Sequence, residues 1–281
     1  MSGAVRTAPI ASTRYDDFLR ERLREQTEPV QHYRLDDQQV WIKRAGVPHA
    51  RWPFWLLGLL ARAVRLPLLA PVPNPGGRAS IDTEARRLRD LALRGLRVPP
   101  VLAQQPDGFL MGHLGTAGQP TPSLAEEMNE NVRDGRPQAV LPLFRHGLDA
   151  IARVHRAGTC LSQAFARNLV RCPDGVVGYV DFEDDPQAAL PLAQCQARDI
   201  LCYAHSAAVY LLEAGALDAA RAPWAAWLAQ QPPSVQALVA QAIRRMGWLR
   251  RLPTDRRWGR DLQRARAAWS LLAEGPAREN P

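Results

Sequence analysis

Lysine is almost absent from this chain of 281 residues. Of its 36 lysine and arginine residues, 35 are arginine and one is lysine, at position 43. The two are not interchangeable, because lysine offers a compact ammonium on a flexible stem and arginine a planar fork. Lys43 is therefore a candidate for a site where a single ammonium contacts phosphate or carboxylate. Chance is the alternative, since some position must hold the last lysine.

Paired cysteines and an N-terminal apolar segment are also lacking. The four cysteines form no CxxC pair and no cluster with histidine, so neither a disulfide framework nor a zinc site is indicated. The first 18 residues contain no apolar run of the kind that opens a secretory signal. Both observations lead us to expect a protein of the reducing cytoplasm.

No run is long enough to be expected to cross a membrane. The most apolar stretch, Trp52 to Val72, is interrupted by two arginines and two prolines before it reaches the roughly 20 apolar residues that a spanning helix needs. A helix over 53–66 would place its arginines opposite its aromatic and aliphatic residues. That pattern is typical of a helix lying on an anionic membrane surface. A helix packed on its own domain is the alternative.

The charge balance favours an anionic partner. A net charge of +8 and a hydrophobic content of 46% indicate a globular protein suited to nucleotide phosphates, lipid headgroups or nucleic acid. Nine arginines lie between positions 244 and 266, with Trp248 and Trp258 among them, an arrangement able to bind nucleic acid. A solvated helix face explains the same arrangement more simply, so we do not expect a nucleic acid partner.

The first part of the chain predicts helix and strand around Lys43. A helix is predicted over 13–27, followed by two strands that meet at Asp36 and Asp37. Lys43 then lies near the end of the second strand. A capping pattern at Ser80 and Asp82 predicts the start of another helix, which Gly95 ends.

The rest of the chain predicts a further strand pair and then mostly helix. The strand pair lies around Pro106-Asp107-Gly108, and a long apolar helix begins after residue 137 and stops at Gly158. A β-hairpin is predicted around Pro173-Asp174-Gly175. Everything after about residue 190 has a helical pattern.

The order of these elements is that of a two-lobed phosphotransferase. In such enzymes a strand lysine pairs with a helix glutamate and contacts nucleotide phosphates, while an asparagine and an aspartate from the second lobe hold divalent metals. Lys43, Glu84, Asn168 and Asp181 occur in the corresponding order. Oxygen ligands from the last two suit Mg²⁺. An ordinary surface ion pair together with a solvated acidic turn is the plainer interpretation.

The chain resembles the protein-kinase-like superfamily, and within it the bacterial Kdo/lipopolysaccharide-kinase-like branch. The similar segments, which span about residues 28 to 210, are VWIKRA, EARRLRDLALRGLRVPPVL, HRAG, ARNLV, YVDFEDD and QARDILCYAHS. The resemblance implies an α+β, bilobal kinase-like fold. A reduced N-terminal lobe would cover 1–112, with the apolar segment as an insertion, and a mainly helical C-terminal lobe would cover 113–281.

The resemblance also implies ligands and roles. ATP with Mg²⁺ or Mn²⁺ would be the cofactors, Lys43 and Glu84 would form an ion pair, and Asn168 and Asp181 would bind metal. Asp199 would brace the catalytic loop. His155 corresponds to the histidine that often precedes this loop. The histidines at 113, 146 and 205 have no ligand-like spacing.

Two departures from the family pattern bear on activity. No glycine occurs between Gly3 and Gly46, so the glycine-rich loop that covers the phosphates is missing. The D-x-x-x-x-N pattern that ends at Asn168 carries Gln163 where a kinase has its catalytic aspartate. We therefore expect a kinase-like protein that binds ATP and a divalent metal, with weak or absent transfer to a sugar, a lipid-sugar or another alcohol. A non-catalytic pseudokinase adaptor at the inner membrane surface is the alternative.

Overall fold

The computed structural model describes residues 8–46, 76–251 and 259–273. The apolar segment Trp52 to Val72, for which a membrane-surface helix is one of two expectations, lies outside these ranges. Trp258 lies outside them as well. Within the described ranges, no helix combines the length and the apolar content needed to span a bilayer.

A small antiparallel sheet forms one part of the molecule. Helix α1 (Ala8–Glu25) precedes β1 (Val30–Leu35) and β2 (Gln38–Arg44), and β3 (Val101–Gln105) and β4 (Gly108–Gly112) follow later in the chain. The strands lie in the order β1-β2-β4-β3, and all neighbours are antiparallel. Both predicted strand pairs are confirmed. Asp36 and Asp37 have φ angles of 48° and 60°, the left-handed conformation that a two-residue hairpin turn requires.

The alternation along β2 determines where Lys43 lies. Val40 and Ile42 are buried against Leu19 of α1. Since successive strand residues point to opposite faces, Trp41 and Lys43 project from the other face of the sheet. Phe109, which is opposite Lys43 on β4, is fully buried in the core shared with the helices. Lys43 therefore lies where the sheet meets the helical part.

Helix α2 (Gly77–Leu93) crosses this junction. The predicted start at Ser80 is wrong, because the helix begins at Gly77 and Ser80 is buried inside it. Gly76 and Gly77, with φ angles of 68° and 57°, make the turn into the helix without a side-chain cap. The predicted end is confirmed. Gly95 has φ +75° and donates its N–H to Ala92 O at 3.0 Å.

The remainder of the described chain is mainly helical. Its elements are α3 (Leu124–Arg133), α4 (Val140–Arg156), the hairpin β5 (Leu169–Arg171) and β6 (Val177–Tyr179), α5 (Leu192–Glu213), α6 (Leu217–Ala229), α7 (Pro233–Arg245) and α8 (Arg260–Ala273). Helix α5 packs on α3, α4, α6, α7 and α8. The end of α4 at Gly158 and the hairpin around residues 173–175 are confirmed. The class is α+β, a small antiparallel sheet joined to a mostly helical part.

Candidate functional site

Three carboxylates surround the only lysine. Lys43 Nζ lies 2.6 Å from Glu84 Oε2, 2.8 Å from Glu183 Oε1 and 3.4 Å from Asp181 Oδ1. The expected Lys43–Glu84 ion pair is therefore present. Glu84 comes from the buried face of α2, and the other two acids come from the irregular segment after β6. Asp181 and Glu183 are two residues apart in this irregular segment, and the side chains of both reach Lys43.

Burial makes these charges strongly dependent on one another. The side chain of Lys43 is 12% exposed and that of Glu84 is 3% exposed. Burial alone would lower the pKa of Lys43, but the three carboxylates, Glu84 foremost, outweigh it and hold the pKa above its usual range. Burial raises the pKa of Glu84, opposed by Lys43 and by the backbone N–H of Phe182, which donates to Glu84 Oε1 at 3.3 Å. Lys43 is thus charged throughout the physiological pH range.

The cluster carries an excess of negative charge. When all four side chains are ionised, the three carboxylates exceed the one ammonium by two charges. Oxygen atoms of Glu84, Asp181 and Glu183 all lie within 4.8 Å of one another, close enough for one cation to contact all three. Hard oxygen ligands of this kind suit Mg²⁺, Mn²⁺ or Ca²⁺.

The two expected metal ligands lie side by side. Asn168 Nδ2 is 3.4 Å from Asp181 Oδ2 and donates a hydrogen bond of 3.0 Å to the carbonyl of Gln163. The side chain of Asp181 is 39% exposed, so it remains open to a ligand from solvent. The carboxylate and the amide together offer the oxygen donors that fit Mg²⁺ or Mn²⁺. The structure thus brings Lys43, Glu84, Asn168 and Asp181 together.

Gln163 has an unexpected partner. Its Nε2 donates a hydrogen bond of 2.7 Å to Oδ2 of Asp184, whose side chain is buried. The other oxygen of that carboxylate, Oδ1, is buried without a hydrogen-bond partner. A buried carboxylate with one unsatisfied oxygen is costly. The amide of Gln163 therefore compensates a charge that the fold has placed beside the site.

Arg87 joins the elements that carry these side chains. This buried arginine of α2 donates 2.7 Å hydrogen bonds to the carbonyls of Cys160 and Asp184, and a longer one, at 3.3 Å, to Leu161. Its guanidinium also lies 5.2 Å from the ring centre of Phe182. One side chain thus fixes both the loop before Gln163 and the segment after Asp181 to the helix of Glu84.

The buried carboxylate of Asp199 supports the loop that precedes Gln163. Asp199 of α5 accepts a hydrogen bond of 2.7 Å from the backbone N–H of Leu161, and its Oδ2 is 3.3 Å from His155 Nε2. The other ring nitrogen of His155 is 3.3 Å from Gln231 Oε1. Asp199 braces the loop as expected, and His155 positions Asp199.

The backbone is strained at two points beside the site. Ser162 and Asp181 have φ angles of 87° and 71°, in a region that residues other than glycine rarely occupy. Such conformations cost roughly 1–3 kcal/mol each and persist only where the surroundings enforce them. Both residues flank the cluster, one next to Gln163 and the other within the carboxylate group. Strained residues are concentrated at functional sites in proteins, which supports this junction as the candidate site.

An aromatic surface extends from the cluster along the same face of the sheet. Trp41 lies between His32 and His113, with ring centres 5.4 and 6.1 Å apart. The indole N–H of Trp41 donates to His113 Nδ1 at 3.1 Å, and His113 Nε2 is 3.1 Å from Thr121 Oγ1. Burial lowers the pKa of His113, which keeps the ring neutral and able to accept this bond. We call His32, Trp41 and His113 the aromatic wall.

Sequence reasoning found the four ligand candidates but missed several neighbours. Glu183 carried a usable signal, because it lies two positions after Asp181 in the same acidic segment. Arg87 carried none, since an arginine on a helix is ordinarily exposed. His113 has no ligand-like spacing in the sequence. In the structure, its two ring nitrogens form hydrogen bonds with Trp41 and Thr121.

Comparisons with known proteins add no family assignment. A scan against protein-family models gave no match, and a search of curated proteins gave no significant match.

Proposed function

We propose that this chain is a kinase-like protein, similar to the bacterial lipopolysaccharide-kinase-like branch, that binds ATP together with Mg²⁺ or Mn²⁺ between the sheet and the helical part. Transfer of phosphate to a sugar, a lipid-sugar or another alcohol would be slow or absent. The bilobal kinase-like fold, with lobes over 1–112 and 113–281, is part of the same proposal.

The convergence of Lys43, Glu84, Asn168 and Asp181 carries this proposal. These residues come from β2, α2, the turn before β5 and the segment after β6, and they meet within ion-pair and hydrogen-bond distance. A solvated acidic turn and a surface ion pair would not place a lysine among three carboxylates at 12% exposure. Phosphoryl transfer relies on positioning and charge neutralisation, which these residue types supply.

The charge of the cluster supports a metal-dependent mode of binding. Phosphate oxygens are repelled by the two excess negative charges when no cation is present. Asp181 and Asn168 would hold Mg²⁺ or Mn²⁺, which supplies the positive charge that phosphates require. Lys43, oriented by Glu84, would contact a phosphate oxygen directly and would leave its contact with Glu183 to do so.

The aromatic wall supports a nucleotide rather than free phosphate. Trp41 lies two residues before Lys43 on the same face of β2, so a ligand with a planar base and a phosphate chain can contact both. Stacking on an aromatic ring contributes roughly 1–3 kcal/mol per base. The hydrogen bond to His113 holds the indole in one orientation.

Two features favour slow or absent transfer. A neutral amide such as that of Gln163 has no useful basicity, although it can orient a hydroxyl group. Within the described ranges, no glycine-rich loop precedes β2, and the turn into that strand is formed by Asp36 and Asp37. General-base assistance is worth about 10² to 10⁴ in rate. A non-catalytic adaptor at the inner membrane surface is therefore the second candidate, favoured by Gln163.

Thermal unfolding with nucleotide and metal tests the proposal. ATP with Mn²⁺ at 100 times its Kd should add about 2.7 kcal/mol of stability by mass action. We expect the midpoint to rise more with ATP and metal together than with ATP alone. A midpoint unchanged by ATP with Mg²⁺ or Mn²⁺ at millimolar concentration would refute nucleotide binding.

A further inference from the structure

A long part of the chain contains no acidic residue. Between Asp218 and Asp255 there is neither aspartate nor glutamate, whereas the same stretch holds five arginines. It covers most of α6, all of α7 and the short 3-10 helix Gly247–Arg251, here called the C-terminal turn. Four of its arginines are concentrated in eight residues, at positions 244, 245, 250 and 251.

The C-terminal turn presents an aromatic side chain to solvent between these arginines. Trp248 is 52% exposed, while Leu249 beside it is buried and anchors the turn. Arg266 of α8 donates a hydrogen bond of 3.0 Å to the carbonyl of Arg250, which fixes the turn to that helix. The exposed tryptophan is therefore held in place by the fold.

The four arginines have no acidic partner in the part of the chain that the structure describes. Ion pairs there involve other arginines, such as Arg221 with Asp218 and Arg264 with Asp261. Arg244 and Arg245 lie in the last turn of α7, where they also interact with the helix dipole. Arg250 and Arg251 follow the helix, so an interaction with its dipole does not explain why arginine occupies these positions.

From this arrangement we infer that Trp248 with Arg244, Arg245, Arg250 and Arg251 forms a docking surface for anionic lipid bilayers. Arginine is attracted to anionic headgroups, and the amphipathic indole partitions to the boundary between headgroups and acyl chains. This surface would be the membrane-binding site of the second candidate function, a non-catalytic adaptor at the inner membrane surface. The inference does not depend on nucleotide binding.

Lipid fits this surface better than nucleic acid does. Proteins that bind single strands stack successive bases on several aromatic side chains along a groove. Trp224 and Trp227, the other tryptophans of the acid-free stretch, are buried and unavailable for stacking. A single exposed indole within a compact cationic surface matches the flat, repeating charge of a bilayer instead.

The docking surface and the candidate nucleotide site are built from different elements. The C-terminal turn packs on α7 and α8. The Lys43 cluster is built from β2, α2 and the segment after β6. Binding of lipid and binding of nucleotide can therefore be measured separately.

Vesicle sedimentation tests the inference. The full chain should sediment with vesicles of phosphatidylglycerol and phosphatidylcholine at low salt, and much less with phosphatidylcholine alone. The double variant Arg250→Gln with Arg251→Gln should lower the partition coefficient about 25-fold, at roughly fivefold for each arginine. Trp248→Ser should lower it as well, and at higher salt its effect should persist more than that of the arginine pair.

The matched control has the same change of charge at another place. Arg133 and Arg145 are exposed residues of α3 and α4, and neither forms an ion pair within the described residues. Changing both to glutamine should leave sedimentation within about twofold of the unchanged protein. Equal losses in the two double variants would mean that net charge, and not this surface, drives binding, and would overturn the inference.

Two further results would also overturn it. One is failure of the unchanged protein to sediment with anionic vesicles. The other is tight binding of a single-stranded oligonucleotide that the double variant abolishes, without any effect on vesicles. Because neither Arg250 nor Arg251 contributes to the Lys43 cluster, the thermal shift by ATP and metal should be the same in the double variant. A failure of nucleotide binding is thereby distinguished from a failure of lipid binding.

Discussion

Gln163 Nε2 lies 2.7 Å from Oδ2 of the buried Asp184, so the residue at the expected base position is bound to a carboxylate. The amide of Gln163 stabilises the buried carboxylate of Asp184 through this hydrogen bond. It also changes the expected effect of restoring the missing aspartate, because any acid at position 163 would face Asp184.

Two variants at this contact test whether the loop retains the geometry for catalysis. Gln163→Asp alone places two carboxylates together, which raises the pKa of one of them and leaves it protonated. We expect no gain in rate from it. Gln163→Asp combined with Asp184→Asn restores a hydrogen-bonded pair with the acid in the base position. The double variant should raise the rate of phosphate release from ATP by about 10² or more.

The measurement is steady-state phosphate release, accompanied by ATP affinity for each variant. Asp184→Asn alone is the control, since it removes the same charge without adding a base. If the double variant binds ATP normally and is no faster than the unchanged protein, Gln163 does not occupy a base position.

Removal of the Asp181 carboxylate should separate metal-dependent from metal-free binding. Asp181→Asn removes a charged metal ligand, so ATP affinity in Mn²⁺ should fall at least about tenfold. Affinity in the presence of a chelator should not fall, because the substitution also removes a negative charge that repels phosphate. Asp174→Asn is the matched control, because Asp174 pairs with Arg97 at 2.8 Å on the β5–β6 hairpin, outside the cluster. Equal loss of both components in Asp181→Asn would indicate misfolding instead.

The aromatic wall predicts a difference between ligands with and without a base. Trp41→Leu should weaken ATP binding roughly 5- to 150-fold, the range expected for the loss of one stacking contact. Inorganic tripolyphosphate, which has no base, should bind both proteins equally in Mn²⁺. Trp248→Leu controls for the loss of a tryptophan elsewhere. Tighter ATP binding by Trp41→Leu would mean that the indole blocks the site and does not bind the base.

The stability of the fold should decrease in mild acid. Burial, assisted by Arg264 and opposed by Asp261, lowers the pKa of His205. Below the ordinary histidine value of roughly 6.5, the unfolded chain therefore binds more protons than the folded chain. Stability is complete above that pH and is lost as the pH falls towards the lowered value. Burial also lowers the pKa of His113, so this residue contributes to the same loss of stability in mild acid.

Urea denaturation at pH 7.5 and pH 5.5 measures this effect. The decrease in free energy of unfolding between the two pH values should be smaller in His205→Gln than in the unchanged protein. His146→Gln is the control, because His146 is exposed on α4. An identical decrease in His205→Gln and the unchanged protein would contradict the assignment.

Local features of this fold were predictable because they depend on a few neighbouring residues. Gly95 and Gly158 end their helices as expected, since glycine readily adopts the left-handed conformation that closes the last turn. The hairpins follow from turn residues between short β-favouring runs. The predicted start of α2 was wrong because Ser80 and Asp82 match a capping pattern. The helix has already begun at Gly77, after the turn made by Gly76 and Gly77.

The candidate site was predictable only in part, for a different reason. Lys43 was conspicuous by its rarity, and the order of Glu84, Asn168 and Asp181 supplied its partners. The contacts of Arg87 with Cys160 and Asp184, which are 73 and 97 residues away, depend on packing between distant elements. No local pattern encodes such contacts, so sequence alone could not place Asp184 beside Gln163.

The affinity of ATP for Lys43→Arg in Mg²⁺ tests the central claim most directly. A planar guanidinium cannot replace a compact ammonium between Glu84 and a phosphate, even in a chain that otherwise uses arginine everywhere. Since a hydrogen bond to a charged group contributes roughly 1.5–3 kcal/mol, calorimetric titration should show ATP bound about 10- to 150-fold more weakly than by the unchanged protein. Equal affinity of the two proteins for ATP would contradict the account.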